Sequence, residues 1–384
     1  MAESAGLRSH LPDPLRAFLG RTRESARQLL RLPGVLRRGL SARAGGGRPI
    51  VSFGFEPIPR RGQLVHGGMA KLQPLQERHP NTPAGFNLLY LVSSAVPANA
   101  PGLVWAARRR GARLVWNQNG VAYPGWQPAH WKAMNAPMAA LLKQADHVFY
   151  QSAFCKRAAD AFLGAPIGTW EVLHNPVDTA VFHPDAPAAR SRLVLLLAGT
   201  QLTEYRVRIA LETLAQLARD VDAELIITGR LTWSSEHAAR AAAAGHVRRL
   251  GLERRVEFVG PYSQEDAPAI YRRADLLLHT QYNDASPGVV VEALSCGLPV
   301  VYSATGGVPE LVGPSAGIGI PGPDDWTREH PPDPEALAAA VRRVAADRAT
   351  YAEAARRRAV DAFDVQRWLA RHDDVFTRLT AARA

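Results

Sequence analysis

Two carboxylates, Asp284 and Glu292, lie eight positions apart on either side of a predicted helix start. The dipeptide Ser286-Pro287 marks that start, because serine is a favoured N-cap and proline is favoured at the first helical position. Asp284 would then precede the helix, and Glu292 would lie more than one turn inside it. Carboxylates separated in this way can each accept hydrogen bonds from a different pair of hydroxyl groups.

The first amides of this predicted helix belong to Gly288 and Val289. They have no partner within the helix and lie at the positive end of its dipole, which makes the N-terminus suitable for a phosphate group. The helix should end at Cys296-Gly297, since glycine is typical just beyond a helix. On spacing alone, two solvated carboxylates flanking a packed helix would be the better interpretation.

The surrounding sequence favours the first interpretation, because residues 283–301 resemble the E-x7-E signature of retaining, GT-B-fold glycosyltransferases of family 4. Asp284 stands at the position of the first glutamate and Glu292 at the second. The resemblance covers roughly residues 49–365. Further segments follow in the order of that family: Asn175-Pro176-Val177-Asp178 with Phe182 and Pro184, Val259-Gly260-Pro261-Tyr262, Tyr271-Arg272-Arg273-Ala274-Asp275 and Thr305-Gly306-Gly307-Val308-Pro309-Glu310-Leu311-Val312.

The pattern of apolar runs and the resemblance indicate the same architecture. Short buried runs alternate with helical stretches in two series, which predicts an α/β protein with two parallel sheets. The predicted strands are 49–55, 86–93, 112–116, 147–151, 193–198, 224–228, 256–259, 276–280 and 298–302. The resemblance implies the GT-B fold, with two Rossmann-like domains facing across a cleft and a C-terminal helix crossing back. We predict an extension and linker (1–48), an acceptor domain (49–185), a nucleotide-sugar domain (186–362) and the returning helix (363–384).

Composition is compatible with this fold. The chain has 384 residues, 47% of them hydrophobic, which is enough for two packed cores. Its two cysteines, Cys155 and Cys296, cannot form a disulfide framework, and this favours a reducing compartment. We expect a cytoplasmic protein of bacterial type, because neither a run of 18 apolar residues nor a signal peptide is recognisable.

The net charge of +11 is concentrated in residues 1–48, which carry ten arginines and three acids and so have a net charge of +7. Within them, apolar and basic residues recur at helical spacing and predict a basic amphipathic helix. Residues 13–38 could contact an anionic membrane from its inner face, or could dock on the protein itself. The segment 44–48 has three glycines and is typical of a flexible linker. Nucleic acid is not an expected partner, because stacking aromatics are not interleaved with the basic residues.

The resemblance also assigns the diphosphate clamp. In the family, two cations follow the first strand of the second domain. Here Thr200 occupies the first position and Arg206 the second, so one charge is missing. Arg206 can bind phosphate oxygens through its planar guanidinium, although a solvated arginine is the alternative. Arg230, after the next strand, could supply the second cation, and Tyr262 would line the base pocket.

The acceptor side is expected in the first domain. Gly67 and Gly68 resemble the glycine-rich acceptor loop of the family, where the backbone can approach a substrate closely. Gln118 and Asn119 follow a predicted strand, where many relatives have a histidine. Their amides could bind a sugar hydroxyl, or they could cap a local turn.

The resemblance implies transfer of a sugar from a nucleotide-diphosphate-sugar donor to an acceptor hydroxyl with retention, in glycan or glycolipid biosynthesis. The acceptor would be a carbohydrate or a lipid-linked molecule. Asp284, Glu292 and Arg206 would act by positioning and charge stabilisation, without a metal or cofactor. A catalytically weakened nucleotide-sugar-binding or scaffold protein is the alternative. An epimerase or phosphorylase would need a proton-transfer set or a lysine near the cleft, and the sequence places neither there.

Overall fold

The computed structural model describes residues 30–55, 57–59, 63, 67–97, 99–185 and 191–381. Two parallel sheets organise these residues, one in each half of the chain. Each sheet is covered by helices, as expected where nearly continuous apolar runs form buried parallel strands. The GT-B architecture predicted from the sequence is confirmed.

The first sheet has five strands in the order β1-β2-β3-β4-β5. Its strands are β1 (Val51–Ser52), β2 (Leu88–Val92), β3 (Arg113–Gln118), β4 (His147–Tyr150) and β5 (Thr169–Val172). The helices of this half are α1 (residues 30–40), α2 (Gly67–Ala70), α3 (Leu72–Arg78), α4 (Ala100–Arg109), α5 (Trp131–Leu142) and α6 (Ala153–Phe162).

The second sheet has six strands in the order β11-β10-β9-β6-β7-β8. Its strands are β6 (Leu193–Leu197), β7 (Ala223–Thr228), β8 (Val256–Gly260), β9 (Leu276–His279), β10 (Val300–Ser303) and β11 (Gly317–Ile320). The helices are α7 (Glu204–Leu217), α8 (Glu236–Arg249), α9 (Ala267–Tyr271), α10 (Gly288–Ser295), α11 (Val308–Val312), α12 (Pro334–Ala346), α13 (Arg348–Phe363) and α14 (Val365–Thr380).

Two edge strands, β5 and β11, were not predicted from the sequence. Strand β5 is largely exposed, so it lacks the apolar run that marks a buried strand. Strand β11 reads Gly-Ile-Gly-Ile, and its two glycines are disfavoured in strands although its isoleucines are not. Glycine is required at Gly317, because a Cβ there would lie 1.9 Å from the carbonyl oxygen of Val300 on the neighbouring strand.

Helix α14 returns to the first sheet, as predicted, although it begins at Val365 and not at residue 363. Its buried face packs with Phe53 and Tyr90 in one apolar core. The Tyr90 hydroxyl lies 3.1 Å from His372 Nε2, and burial lowers the pKa of His372 to about 3. Burial of Trp368 and Phe376 stabilises this return by about 1.5–3 kcal/mol for each side chain.

The predicted linker at 44–48 is anchored to the end of α14. The amides of Gly46 and Gly47 both donate to the carbonyl oxygen of Thr380 at 3.1 Å, and the Thr380 hydroxyl donates to the Gly47 carbonyl at 3.0 Å. These contacts fix the backbone, so the prediction of a flexible linker from its glycines was wrong.

Most of the predicted basic amphipathic helix, residues 13–29, lies outside the described residues. The described part, α1, packs Gly39 against Ala106 of α4, where a Cβ would be 2.5 Å from the alanine methyl. Leu30, at the start of the described part, is 82% exposed. Docking on the protein itself therefore accounts for the C-terminal part of this segment, and membrane contact by residues 13–38 stays a prediction.

In the described part of the chain, no helix has the length and apolar composition needed to cross a membrane. The same residues contain no cluster of three or more His, Cys, Asp or Glu side chains that could hold a metal ion. Cys155 and Cys296 are both buried and unpaired.

Candidate functional site

The start of α10 differs from the sequence prediction by one residue. Pro287 has an extended backbone (φ −70°, ψ 122°) and occupies the N-cap position, so the helix begins at Gly288. Ser286 is not the N-cap: its hydroxyl lies 3.3 Å from the Gln151 carbonyl oxygen and from the Asn175 amide nitrogen. No side chain caps α10. The assignment of Ser286 as N-cap was wrong because the first domain recruits its hydroxyl, which local sequence cannot show.

Two glycine loops approach the first turn of α10. Gly199, after β6, and Gly229, after β7, have positive φ angles of 83° and 81°. A Cβ on Gly229 would lie 2.1 Å from the Gly199 carbonyl oxygen, and one on Gly199 would lie 3.1 Å from Val289 Cγ1. A Cβ on Gly288, in contrast, would meet nothing within 4 Å. The uncapped helix N-terminus therefore faces open space beside backbone loops, which is the environment that a diphosphate requires.

Arg206 lies beside this space and is only 5% exposed. Its Nη1 donates to the Thr200 carbonyl oxygen at 2.9 Å, and its Nε has no hydrogen-bond partner among the described residues. Burial lowers the pKa of Arg206, and the negative charge of Asp284 opposes this shift. Burial excludes a solvated arginine here. Thr200 and Arg230 are both exposed. A part for either position in binding the diphosphate stays a prediction.

Asp284 lies close to a buried histidine that the sequence analysis missed. His279, at the end of β9, is 1% exposed and places Nε2 3.2 Å from Asp284 Oδ2. Burial opposes ionisation of Asp284, but the contact with His279 and the positive charge of Arg206 outweigh it, and the pKa is lowered overall. Asp284 is therefore an ionised acceptor. The sequence did carry a signal for His279: it directly follows the apolar run of a predicted strand, and ligands bind at the carboxyl ends of such strands.

Glu292 lies in the second turn of α10, in a different polar environment from that of Asp284. Its carboxylate accepts from the Tyr271 hydroxyl at 2.7 Å and from Gln264 Nε2 at 2.8 Å. Burial raises the pKa of Glu292, and both hydrogen bonds oppose that shift. Tyr262 lies nearby: burial and the charge of Glu292 raise its pKa to about 12. Asp284 and Glu292 thus hold separate positions: Asp284 lies beside His279, and Glu292 is held by the hydrogen bonds from Tyr271 and Gln264.

The amides predicted to bind the acceptor are occupied by the protein. Gln118 is fully buried; its Oε1 accepts from the Trp116 indole at 2.7 Å, and its Nε2 donates to the Asn119 carbonyl at 3.0 Å. Asn119 donates to Ser94 at 2.7 Å and accepts from Gln151. The structure therefore favours a local structural role for Gln118 and Asn119, the alternative to binding a sugar hydroxyl.

The two predicted acceptor glycines lie at the start of α2. Gly67 is exposed and Gly68 is buried. A Cβ on Gly67 would meet nothing within 4 Å, so its backbone is accessible. Their part in acceptor binding stays a prediction.

A buried lysine lies near the start of α10, contrary to the sequence analysis. Lys71 Nζ donates to Asn175 Oδ1 at 2.9 Å and to Asn117 Oδ1 at 3.2 Å. Asn175 in turn donates to the Ser286 carbonyl of the second domain at 2.9 Å. Burial lowers the pKa of Lys71 to about 7. The prediction that no lysine lies near the cleft was wrong, because only the fold brings residues 71 and 175 together.

Contacts between the two halves surround this network. Glu310 of α11 accepts from the first amides of α6, those of Ala153 and Phe154, at 2.7 and 2.9 Å. The Ser152 hydroxyl donates to the Ala285 carbonyl at 2.7 Å. The second domain therefore caps a helix of the first beside the residues that lead into α10.

Two parallel Rossmann-like sheets that face a cleft, with a C-terminal helix crossing back, define a protein of the GT-B class. Residues 181–360 match the family described as "Glycosyl transferases group 1". By this match, that part of the chain belongs to the group 1 glycosyl transferases.

Curated relatives match over less than half of the chain. The chain is 34% identical over 150 residues to D-inositol 3-phosphate glycosyltransferase of Mycobacterium sp. (strain KMS), a match covering 37% of this chain and 33% of that protein. It is 31% identical over 183 residues to the protein of the same name in Mycobacterium bovis (strain BCG / Pasteur 1173P2), covering 45% and 37%. The matched region spans about a third of the length of these relatives.

Solved structures match over more of the chain. Sucrose-phosphate synthase from Thermosynechococcus elongatus is 23% identical with a TM-score of 0.62, and the match covers 78% of this chain and 75% of that one. HepE from Anabaena, solved in complex with UDP-glucose, is 23% identical with a TM-score of 0.62, covering 76% and 79%. These similarities show the shared fold.

Proposed function

We propose that this chain transfers a sugar from a nucleotide-diphosphate-sugar donor to an acceptor hydroxyl with retention of configuration, in glycan or glycolipid synthesis. The observation that carries the proposal is the start of α10. An uncapped helix N-terminus, a buried arginine and two separately held carboxylates lie together at the carboxyl ends of the second sheet.

Each group has a defined part in this mechanism. The amides of Gly288 and Val289 and the Arg206 guanidinium bind the diphosphate and stabilise the charge that develops on the leaving group. Asp284 accepts hydrogen bonds from the transferred sugar. Glu292 accepts them from the ribose diol, beside Tyr262. The departing phosphate oxygen receives the acceptor proton, so a protein nucleophile is not required.

The relatives and structural neighbours guide the choice of substrates. HepE was solved with UDP and with UDP-glucose, which supports a uridine donor as the first candidate. The mycobacterial relatives are named for an inositol phosphate acceptor, which supports a phosphorylated polyol as the first acceptor to test.

A panel of nucleotide sugars tests the proposal. Thermal shift identifies the nucleotide that stabilises the protein. Donor consumption is then measured with and without D-inositol 3-phosphate and other sugar acceptors, and the anomeric configuration of the product is read by NMR. Retention of the donor configuration is expected. Binding of a nucleotide sugar without turnover would favour the catalytically weakened binding protein, and inversion would refute the retaining mechanism.

A further inference from the structure

The segment between β11 and α12, residues 321–333, crosses from the second domain to the first. Trp326 stacks on Phe154 with ring centroids 4.9 Å apart, and it contacts the edges of Phe162 and Tyr123 at 5.5 and 5.3 Å. The Gly125 amide donates to the Trp326 carbonyl at 2.8 Å. We call this segment the strap. Its tryptophan is held by aromatic residues that all belong to the first domain.

The base of the strap is fastened to the donor side of the cleft. Tyr282 lies in the loop after β9, and its hydroxyl lies 2.8 Å from the Pro323 carbonyl oxygen and 3.0 Å from the Asp325 carbonyl oxygen. Asn283 Nδ2 donates to the same Asp325 carbonyl at 3.1 Å. Asp325 also contacts His330 Nε2 at 2.8 Å, which closes the strap into a turn. The strap therefore bridges the residues next to Asp284 and the aromatic pocket of the first domain.

This turn carries Glu329 to the cleft. The Tyr205 hydroxyl accepts from Gln281 Nε2 at 2.9 Å and from the Tyr282 amide at 3.1 Å, so its own hydrogen is available to the Glu329 carboxyl. Glu329 Oε1 is buried and has no hydrogen-bond partner among the described residues. The carboxyl offers several acceptor positions and Tyr205 can fill only one of them, so a ligand hydroxyl could donate to the oxygen that is otherwise without a partner.

Glu329 is close to the groups already assigned to the donor. Tyr205 immediately precedes Arg206 in α7. Tyr123 of the first domain is buried, and its pKa is raised by that burial and by the negative charges of Glu329 and Asp284. A carboxylate bordered by tyrosines suits a sugar. The tyrosine rings can cover the apolar face of the sugar, and the carboxylate can accept hydrogen bonds from the sugar hydroxyls.

We propose that Glu329 binds a hydroxyl group of a sugar or polyol substrate, and that the strap completes this subsite only when Trp326 is docked on the first domain. The inference rests on the proposed function and deepens it. The hydroxyl can belong to the sugar of the donor or to the acceptor. Because the strap joins both domains, substrate recognition by Glu329 is coupled to closure of the cleft.

The test compares wild type with Glu329→Gln, which keeps the shape of the side chain and removes its charge. Glu335→Gln is the matched control, since Glu335 is exposed on the first turn of α12. Isothermal titration measures binding of UDP and UDP-glucose, or of the pair that the nucleotide panel returns. Steady-state kinetics measure KM and kcat for the acceptor.

Glu329→Gln should leave the affinity for UDP unchanged. It should either weaken UDP-glucose binding or raise the KM for the acceptor, in each case by about tenfold to a hundredfold, as expected for the loss of one hydrogen bond to a charged group. Weaker UDP-glucose binding assigns the hydroxyl to the donor sugar, and a higher KM for the acceptor alone assigns it to the acceptor. If Glu329→Gln matches wild type in both, the subsite is refuted while the glycosyltransferase proposal stands. Absence of any nucleotide binding in wild type would refute the proposed function instead.

A second variant tests the strap. Trp326→Ala should reproduce the loss seen in Glu329→Gln, and the double variant should be no worse than Trp326→Ala alone, because undocking already removes Glu329 from the site. Trp326→Phe should restore most of the binding. Additive losses in the double variant would show that Trp326 does not position Glu329 and would overturn the coupling.

Discussion

Substitution of Glu292 by glutamine tests most directly whether this carboxylate binds the ribose diol of the donor. Tyr271 and Gln264 each donate one hydrogen bond to the carboxylate. An ionised carboxylate offers about four acceptor positions, so roughly two remain for a ligand. Two positions match the two hydroxyls of a diol. Glu292→Gln keeps the size of the side chain but replaces one acceptor oxygen with a donor.

The expected magnitude follows from this count. The glutamine retains one acceptor oxygen, so one of the two ligand hydrogen bonds should be lost. A hydrogen bond to a charged group contributes about 1.5–3 kcal/mol. Since 1.4 kcal/mol corresponds to a tenfold change, the Kd for a nucleoside diphosphate should rise roughly tenfold to a hundredfold.

The assay is isothermal titration with UDP and with its 2′,3′-dideoxy analogue. Wild type should prefer UDP, and Glu292→Gln should lose this preference because only UDP carries the hydroxyls that the carboxylate binds. Glu335→Gln, an exposed control, should retain it. Equal weakening of both nucleotides by Glu292→Gln, or no weakening of either, would refute the assignment to the ribose diol.

Three further predictions concern charge at the cleft. Arg206→Ala should weaken UDP binding about tenfold to a hundredfold and leave uridine binding unaffected, since the proposed partner of the guanidinium is the diphosphate, which uridine lacks; equal losses for both ligands in the titration would contradict this role. Thr200→Arg should tighten UDP binding, because Thr200 is exposed and an arginine there restores the second cation; weaker binding would exclude this position from the clamp. Burial lowers the pKa of Lys71 to about 7 in the folded state from 10.5, so the unfolded chain binds more protons between these values and the lysine costs less stability as pH rises. The free energy of unfolding of wild type relative to Lys71→Met, measured in urea at pH 7, 8 and 9, should therefore increase by roughly 1.4 kcal/mol per pH unit at most; a difference that does not change with pH would show that the pKa of Lys71 is not lowered in the folded state.

Much of the fold was predictable because its signals are local. The buried strands β2, β4, β6, β7 and β9 follow apolar runs of the right length, and their predicted bounds differ from the observed ones by at most two residues. The edge strands β5 and β11 lack such runs, since one face or both are not buried. The glycine segment 44–48 misled the prediction, because its conformation is set by Thr380, more than 300 positions away.

The sequence by itself determined the positions of Asp284, Glu292 and Arg206 along the chain, through turn chemistry and register with a family pattern. Only the tertiary structure decided their environments. Burial of Arg206, the contact of His279 with Asp284 and the donors to Glu292 all come from separate elements.

Side chains that link the two domains were decided by tertiary structure in the same way. Lys71 reaches Asn175, which holds the segment before α10, and the strap crosses to the first domain through Trp326. Helix and strand signals arise from neighbours within a turn or a strand, so they can be read from sequence. Burial, pKa and partner choice depend on residues distant in sequence, and these become neighbours only when the two sheets face each other.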